Sequence, residues 1–199
     1  HQVVQSDQAF HRACVHEAGH TVVGSLLATE SGSRLVETRV FREVLQDGSG
    51  GKTVFEQLLG LDRGRSAHLA KITILLAGIA AEDVIFGDHA EGGGGEDESD
   101  LHQATLIAAT MEISLGLGES LVYLSSRRPA DVLARVRIDA SLRTRVSKIL
   151  DECFKRAKNL IAEHSESFDG VARVLMECDA IGASEVERLV SEKFSLLSE

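Results

Sequence analysis

The chain contains 199 residues, of which 43% are hydrophobic and 26% are charged, and its formal net charge is −10. This length is enough for one well-filled core, and the composition is typical of a soluble globular protein. The acidic balance argues against nucleic acid or an anionic membrane surface as a partner. The longest apolar run, residues 72–81, has about half the length of a membrane-spanning helix.

The first predicted helix, over about residues 8–29, contains the most informative motif of the chain, His-Glu-Ala-Gly-His at residues 16–20. On a helix, His16 and His20 lie one turn apart on the same face, where two imidazoles can bind one Zn²⁺. Glu17 can reach a water molecule at that metal, the usual nucleophile of zinc hydrolases. The motif therefore indicates a zinc metalloprotease; the structural alternative is a histidine pair with polar partners in the core.

Two strand candidates follow, over about residues 35–46 and 52–58, because β-branched and aromatic residues are concentrated there. A turn rich in glycine separates them at residues 47–51. We therefore expect a small antiparallel sheet in a chain that is otherwise helical.

The next predicted helix, over about residues 64–86, is apolar nearly all round in its middle, which is typical of a central core helix. Gly87 ends it, and residues 88–98 form a glycine-rich, acidic loop. These glycines do not indicate a phosphate-binding loop, because no Lys-Ser/Thr pair follows and the neighbouring acids repel phosphate. We interpret the segment as a mobile surface loop.

Ser99 is predicted to cap a helix over about residues 100–116, with Asp100 in its first turn. Residues 117–130 are predicted to be irregular. Beyond them the chain is again helical, and residues 1–116 and 117–199 are interpreted as two parts of one domain.

The C-terminal part has helical periodicity over about residues 138–164 and again near 167–178. A last helix is predicted to begin at Ser184, where a capping box occurs. These helices predict a bundle without chemistry of its own, whereas residues 1–116 contain the zinc-binding catalytic part.

Three cysteines, Cys14, Cys153 and Cys178, lie far apart, and no CxxC pair occurs. An odd number without that spacing indicates buried thiols in a reducing compartment and argues against a disulfide framework. The chain begins without the pattern of a signal peptide. We therefore expect a cytoplasmic location.

A catalytic zinc ion needs a third protein ligand, and position 26, where a short extended motif has a histidine, is leucine. Two acids are candidates. Glu82 lies in an apolar stretch of the core helix, where a buried carboxylate needs a metal or a histidine N–H as its partner. Asp100 lies at a helix N-terminus directly after the glycine-rich loop. The residues alone do not choose between them.

Three segments occur in a fixed order: His-Glu-Ala-Gly-His at 16–20, Leu-Ala-Gly-Ile-Ala-Ala-Glu-Asp-Val-Ile-Phe-Gly at 76–87, and Asp-Leu-His-Gln-Ala-Thr at 100–105. Together they resemble the peptidase domain of FtsH-type AAA proteases. Residues 149–158 and the helix near residue 185 are also similar to that domain, so the resemblance covers essentially the whole chain.

The resemblance implies a zinc site made by His16, His20 and Asp100, with Glu17 as the general base. It thereby favours Asp100 over Glu82 as the third ligand. Glu82 then becomes the residue that orients a ligand histidine through a hydrogen bond. The implied activity is that of a zinc-dependent endopeptidase, in which a zinc-activated water attacks the peptide bond.

The same resemblance implies a mainly α, zincin-like peptidase domain with a small β-sheet at about residues 35–58. Its substrates would be unfolded or membrane-derived polypeptides, and the strand near 51–58 would bind them by edge addition. Members of this family are membrane-anchored hexamers in which an ATPase feeds the peptidase. A homo-hexamer, an ATPase in cis or in trans and a location at the membrane face are therefore further expectations.

The sequence departs from the family pattern in four ways. Ser99 stands where an asparagine is usual, Ile79 where an arginine is usual, and the loop at 88–98 is longer and more acidic. The ATPase pattern G-x-x-x-x-G-K-[ST] does not occur in these 199 residues. This chain by itself is therefore expected to perform only the hydrolysis.

Two other functions stay open. The altered residues beside the motifs are compatible with a non-catalytic, zinc-binding adaptor, although the intact Glu17 argues against it. Use of Glu82 as the third ligand would indicate a different zincin, such as an aminopeptidase.

Overall fold

The structure is a computed structural model that describes residues 4–43, 50–58 and 63–195. The described residues are mainly helical, which confirms the predicted fold class. Their helices are α1 (Asp7–Leu26), α2 (Ala28–Ser31), α3 (Arg65–Leu75), α4 (Ala77–Phe86), α5 (Asp100–Ile113), α6 (Pro129–Ile138), α7 (Ala140–Glu163), α8 (Ser165–Cys178) and α9 (Ala183–Ser195). Their strands are β1 (Ser33–Val40), β2 (Gly51–Gln57) and β3 (Ala180–Gly182).

Helix α1 lies at the centre of the packing and contains the histidine motif. Ser6 caps its N-terminus by accepting a hydrogen bond from the Ala9 N–H. The middle of the helix is buried against α4, α8 and β1. Small residues permit this close packing, because a Cβ at Gly19 would overlap with the Ala77 carbonyl of α4.

Two predicted helices are divided in the structure. The first, predicted over 8–29, ends early at the capping residue Leu27, and the short helix α2 follows. The second, predicted over 64–86, consists of α3 and α4, which meet at Leu76. This division places Ile74 in the last turn of a helix, where carbonyl groups have no helical partner and can accept a bond from a side chain.

The strands form one antiparallel sheet in the order β2-β1-β3, with β2 at an edge. This confirms the predicted small antiparallel sheet. Strand β3 has no counterpart among the predicted elements, because three residues after the left-handed Asp179 (φ 60°) are too few to show an alternating pattern.

The first strand, predicted over 35–46, is β1 at Ser33–Val40, so the prediction is wrong for residues 41–43, and residues 44–46 lie outside the described residues. Beyond Val40 the chain turns to the N-terminal segment, where Val4 and Glu43 form an isolated antiparallel bridge. Most of the predicted turn at 47–51 lies outside the described residues.

The C-terminal part contains α7 and α8 close to their predicted bounds, and α9 begins at Ala183. The predicted irregular segment is irregular up to residue 128, and α6 begins at Pro129. That helix has a signal in the sequence, because Pro129 occupies its first position and Asp131 lies in its first turn.

Two clusters of buried apolar side chains meet along α7. Ala157 and Ile161 of this helix join a cluster around α1, β1 and α8. Leu142 and Val146 join a second cluster around α3, α5 and α6. Each cluster combines residues from before and after residue 117, so the C-terminal helices complete the core that holds α1.

Two of the three cysteines are buried as predicted, and all three are unpaired. The prediction is wrong for Cys178, which is exposed, because it ends α8 beyond the last buried position of that helix, Leu175. Among the helices that the structure describes, none combines the length and the apolar character needed to cross a membrane.

Candidate metal centre

The two histidines of the motif meet on one face of α1. The Nε2 atoms of His16 and His20 lie 3.1 Å apart, as expected for residues one helical turn apart. Their rings are packed edge to face, with centroids separated by 4.8 Å. This arrangement directs two nitrogen atoms toward one point.

An acid from the start of α5 reaches the same point. Ser99 caps this helix by accepting a hydrogen bond from the His102 N–H, and Asp100 occupies the first turn as predicted. The Oδ2 atom of Asp100 lies 3.3 Å from His16 Nε2 and 3.1 Å from His20 Nε2. The structure therefore brings together three residues that are far apart in the sequence.

The size of this cluster fits a metal ion. Ligand atoms at about 2.0–2.1 Å from a tetrahedral Zn²⁺ lie about 3.3 Å from one another. The three observed separations are 3.1, 3.1 and 3.3 Å. Two imidazoles and a carboxylate also leave one position open, as in catalytic zinc sites.

Hydrogen bonds at the far side of each ring determine which nitrogen is free. The Nδ1–H of His16 donates to Glu82 Oε1 at 2.7 Å. The Nδ1–H of His20 donates to the Ile74 carbonyl at 2.8 Å, which is the carbonyl made available where α3 ends. Both neutral rings would therefore direct the lone pair of Nε2 toward the cluster.

Glu82 faces away from the cluster and toward a charged network. Its side chain is 2% exposed, and its Oε2 accepts hydrogen bonds from Arg12 Nη1 at 2.8 Å and from the Ala90 N–H at 2.9 Å. Arg12 also donates to Asp88 Oδ1 at 2.9 Å. Burial alone would raise the pKa of Glu82, but the hydrogen bonds from His16 and Arg12 lower it, so this carboxylate is ionised.

Arg12 is part of the site although its sequence context did not indicate it. It precedes His16 by four residues on α1, so both lie on the same helix face. That spacing was a usable signal, but it could not show that a buried acid from α4 lies between them.

Glycine 78 makes room for the first histidine. A Cβ at this position of α4 would overlap with three atoms of the His16 ring. Gly93, in the short turn of the acidic loop, is buried against Ile79, and a Cβ there would lie 3.5 Å from His16 Cε1. The loop at 88–98 therefore contacts the site through a glycine.

The acids of that loop do not join the cluster. Glu91, Glu96, Asp97 and Glu98 are exposed, in agreement with the interpretation of this segment as a surface loop. Asp97 is near His102, with 3.8 Å between Asp97 Oδ1 and His102 Nε2, and this contact lies outside the group formed by the two motif histidines and Asp100.

The charges in the cluster stabilise one another. Burial alone would lower the pKa of His16, but its hydrogen bonds with Asp100 and Glu82 raise that pKa to about 10. The pKa of His20 is also raised, against burial, by the charge of Asp100. Burial would raise the pKa of Asp100, but the two histidines hold it far below its usual range. Without metal, the cluster therefore favours imidazolium next to carboxylate.

Glu17 follows His16 on α1 and lies on the neighbouring flank of the helix, next to the sheet. It is 7% exposed, and its Oε2 accepts a hydrogen bond from the Thr53 hydroxyl of β2 at 2.6 Å. A Cβ at Gly51, on the same strand, would lie 2.5 Å from Glu17 Cγ. Its charge contributes to the raised pKa of both histidines.

A sequence profile described as Peptidase family M41 matches residues 3–189 of the chain. The chain belongs to this family. M41 membership confirms the resemblance to FtsH-type peptidase domains that the three segments indicated.

Curated relatives agree with this assignment. The chain is 29% identical to the ATP-dependent zinc metalloprotease FtsH of Thermotoga maritima, over 92% of this chain and 31% of the relative. It is 30% identical to the ATP-dependent zinc metalloprotease FtsH 2 of Sphaerobacter thermophilus, over 88% of this chain and 26% of the relative. This M41 chain therefore spans about a third or less of the length of these relatives.

Proposed function

We propose that this M41 chain is a zinc-dependent endopeptidase that hydrolyses peptide bonds of unfolded or membrane-derived polypeptides. The observation that carries the proposal is the convergence of His16 Nε2, His20 Nε2 and Asp100 Oδ2, which are 3.1, 3.1 and 3.3 Å apart. These three residues would hold Zn²⁺, and Glu82 would hold His16 in place through its Nδ1–H.

Glu17 and the two histidines would have different roles in the hydrolysis. A bound Zn²⁺ would supply a Lewis acid that polarises the scissile carbonyl and lowers the pKa of water. Glu17 would accept a proton from the attacking water and then donate it to the leaving amine. The fixed Nδ1–H bonds of the two histidines would keep both Nε2 lone pairs available.

Strand β2 supports a mode of substrate binding. It is an edge strand of the described sheet, and an extended peptide can add to such an edge through main-chain hydrogen bonds. Gly51 and Thr53 of this strand contact Glu17. A peptide paired with β2 would therefore pass next to the proposed base.

The partners follow from the relatives. The relatives named above are ATP-dependent, and this chain covers only part of their length. We therefore propose that an ATPase acts with this peptidase, in cis or in trans, in a homo-hexamer at the cytoplasmic face of a membrane. The unpaired thiols agree with a reducing compartment.

The test compares the wild type with Glu17→Gln on casein and on an internally quenched peptide. We expect the variant to lose activity by about 100- to 10,000-fold while metal analysis still finds one zinc per chain. Glu96→Gln, an exposed acid of the loop, is the matched control and should keep full activity.

The same experiment separates the alternatives. No cleavage by either protein while both bind zinc would favour the adaptor, whereas equal cleavage by both would contradict the role of Glu17 as the base. Cleavage confined to substrate N-termini would favour an aminopeptidase. Glu82→Gln, with loss of zinc while Asp100→Ala retains it, would exchange the roles proposed for these two acids.

A further inference from the structure

We propose that Thr53 is a positioning residue for Glu17, and that its hydroxyl holds the carboxylate in the orientation needed for proton transfer. This inference rests on the proposed function, in which Glu17 is the general base. It adds a residue of the β-sheet to a site whose other members lie on helices or in the loop that follows α4.

The direction of this hydrogen bond is determined by its chemistry. An ionised carboxylate can only accept, and a threonine hydroxyl has one proton to donate. The Thr53 proton is therefore committed to Glu17 Oε2, at an Oγ1–Oε2 distance of 2.6 Å. Hydrogen bonds from a hydroxyl to a charged acceptor are short and strong, and this distance is in their range.

Two further threonines continue this contact into the core. Thr38 of β1 lies directly opposite Thr53 in the sheet register, and its Oγ1 is 3.3 Å from that of Thr53. Thr21 of α1 is 2.6 Å from Thr38 between hydroxyl oxygens and donates to the main-chain carbonyl of Glu17 at 2.7 Å. Both Thr21 and Thr38 are 0% exposed.

These contacts form a closed path that begins and ends at one residue. It runs from the Glu17 carboxylate through Thr53, Thr38 and Thr21 to the Glu17 carbonyl. Three hydroxyl protons serve four contacts, so one contact between threonines has no proton of its own. The bond from Thr53 to the carboxylate has a fixed direction, as does the bond from Thr21 to the main-chain carbonyl, because neither acceptor can donate.

The backbone of β2 adds a steric restraint. A Cβ at Gly51 would lie 2.5 Å from Glu17 Cγ, so the strand lies against the stem of the side chain while Thr53 holds its tip. The carboxylate is thereby attached to the strand that would pair with substrate. Its distance from the scissile bond would then depend on β2, and small displacements of a reacting group have large effects on rate.

The competing explanation is that Thr53 only joins two strands. In that case, loss of the Thr53 hydroxyl would lower the stability of the fold without a selective effect on kcat. The loss of stability would also be the same with and without the Glu17 side chain. Thr53→Val separates the two explanations, because valine has nearly the shape of threonine and lacks the hydroxyl. Thr53→Ser retains the hydroxyl and removes the methyl group.

The kinetic test uses the zinc-loaded chain and a quenched peptide. We expect Thr53→Val to lower kcat by about 10- to 100-fold, with KM within about twofold of the wild type and one zinc retained. Thr53→Ser should restore kcat to within about threefold. Thr144→Val, at an exposed threonine of α7, is the control. Wild-type kcat in Thr53→Val, or equal losses in the serine and valine variants, would overturn the inference.

A second readout does not depend on catalysis. In the zinc-free protein, Thr53→Val should lower the Tm by more in the wild-type background than in the Glu17→Ala background, because the bond is already absent from the latter. Equal shifts in both backgrounds would show that the two side chains are not coupled and would also overturn the inference.

Different results would contradict the role of Glu17 as the base and the role of Thr53 as its positioning residue. If Glu17→Gln stays active, the proposed base is wrong, whatever the Tm measurements show. If Glu17→Gln is inactive while Thr53→Val has wild-type kcat and an uncoupled Tm, only the positioning role of Thr53 fails.

Discussion

The two flanks of α1 are held by different chemistry. On the flank of His16, a buried carboxylate from α4 is surrounded by the Arg12 guanidinium, a main-chain N–H and the imidazole. On the flank of Glu17, the neutral hydroxyl of Thr53 in the sheet provides the side-chain hydrogen bond to the carboxylate. One flank is thus stabilised by charge and the other by dipoles.

This difference suits the roles proposed for the two flanks. A histidine that binds a cation benefits from an anionic partner at its other nitrogen, which fixes the tautomer and makes the ring a better donor. A general base must accept and release a proton, and an adjacent guanidinium would make it a weaker base. A hydroxyl orients such a base without adding a charge.

The largest expected effect is on the metal flank, at Asp100. Asp100→Ala should weaken zinc binding by on the order of 1,000-fold and abolish hydrolysis, since it removes one of three protein ligands. Competition with a chromophoric chelator measures the affinity. Asp97→Ala, three residues earlier and with a side chain 98% exposed, should bind zinc like the wild type. Equal affinity of both variants would contradict the proposed ligand set.

Gly78→Ala should have the next largest effect on the same flank. Alanine is a better helix former than glycine by about 1 kcal/mol, so the change would stabilise a helix at a position with room for the added methyl group. Here the new methyl group would overlap with the His16 ring, and we expect zinc affinity to fall by about 100-fold. Gly64→Ala, where a Cβ meets nothing within 4 Å, is the control. A more stable Gly78→Ala protein with normal zinc affinity would show that the ring is not confined.

Arg12→Met tests how much the charged network around Glu82 contributes to zinc affinity. The variant keeps much of the apolar stem but leaves Glu82 without its cationic partner, so zinc affinity should fall by about 10-fold. Arg34→Met removes an exposed ion pair with Glu56, and such pairs contribute little. If both arginine variants bind zinc equally well, the charge on this flank is dispensable and the contrast between the flanks is lost.

The smallest expected effect is a pH dependence of stability. The pKa of His16 in the folded, zinc-free chain, about 10, lies above the ordinary value of about 6.5. Its contribution to stability is therefore fully present below about pH 6.5 and is lost as the pH rises through about 10. Zinc requires deprotonated ligands, so its own contribution grows in the same interval.

The Tm difference between zinc-loaded and zinc-free protein should therefore widen from pH 6 to pH 9. Differential scanning calorimetry at both pH values measures it. A difference that is constant or becomes smaller would show that His16 and its acidic partners do not form the charged cluster described above.

Much of the site could be predicted from local sequence signals. The helical spacing of residues 16–20 and the Ser99 cap before Asp100 are local features, and the structure has both. The choice between Asp100 and Glu82 was not local, and it came from the resemblance to a family. In the structure, Glu82 contacts the far nitrogen of His16.

Other features had weak or no local signals. The break at Leu76 depends on how α3 and α4 pack around α1, and no residue there is a strong helix breaker. Strand β3 is too short for periodicity to be measured. Thr53 gave no sign of its contact with Glu17, because a threonine in a strand is ordinary and its partner is 36 residues away.

The sequence by itself indicated the class of chemistry proposed for this chain, because two histidines and a glutamate at helical spacing need only one helix to share a site. The tertiary structure alone decided what surrounds them. Glu82 reaches Arg12 and His16 on one flank, and Thr53 and Gly51 reach Glu17 on the other, only when α4 and β2 pack against α1. Such contacts depend on the packing of whole elements, which no short pattern of residues encodes.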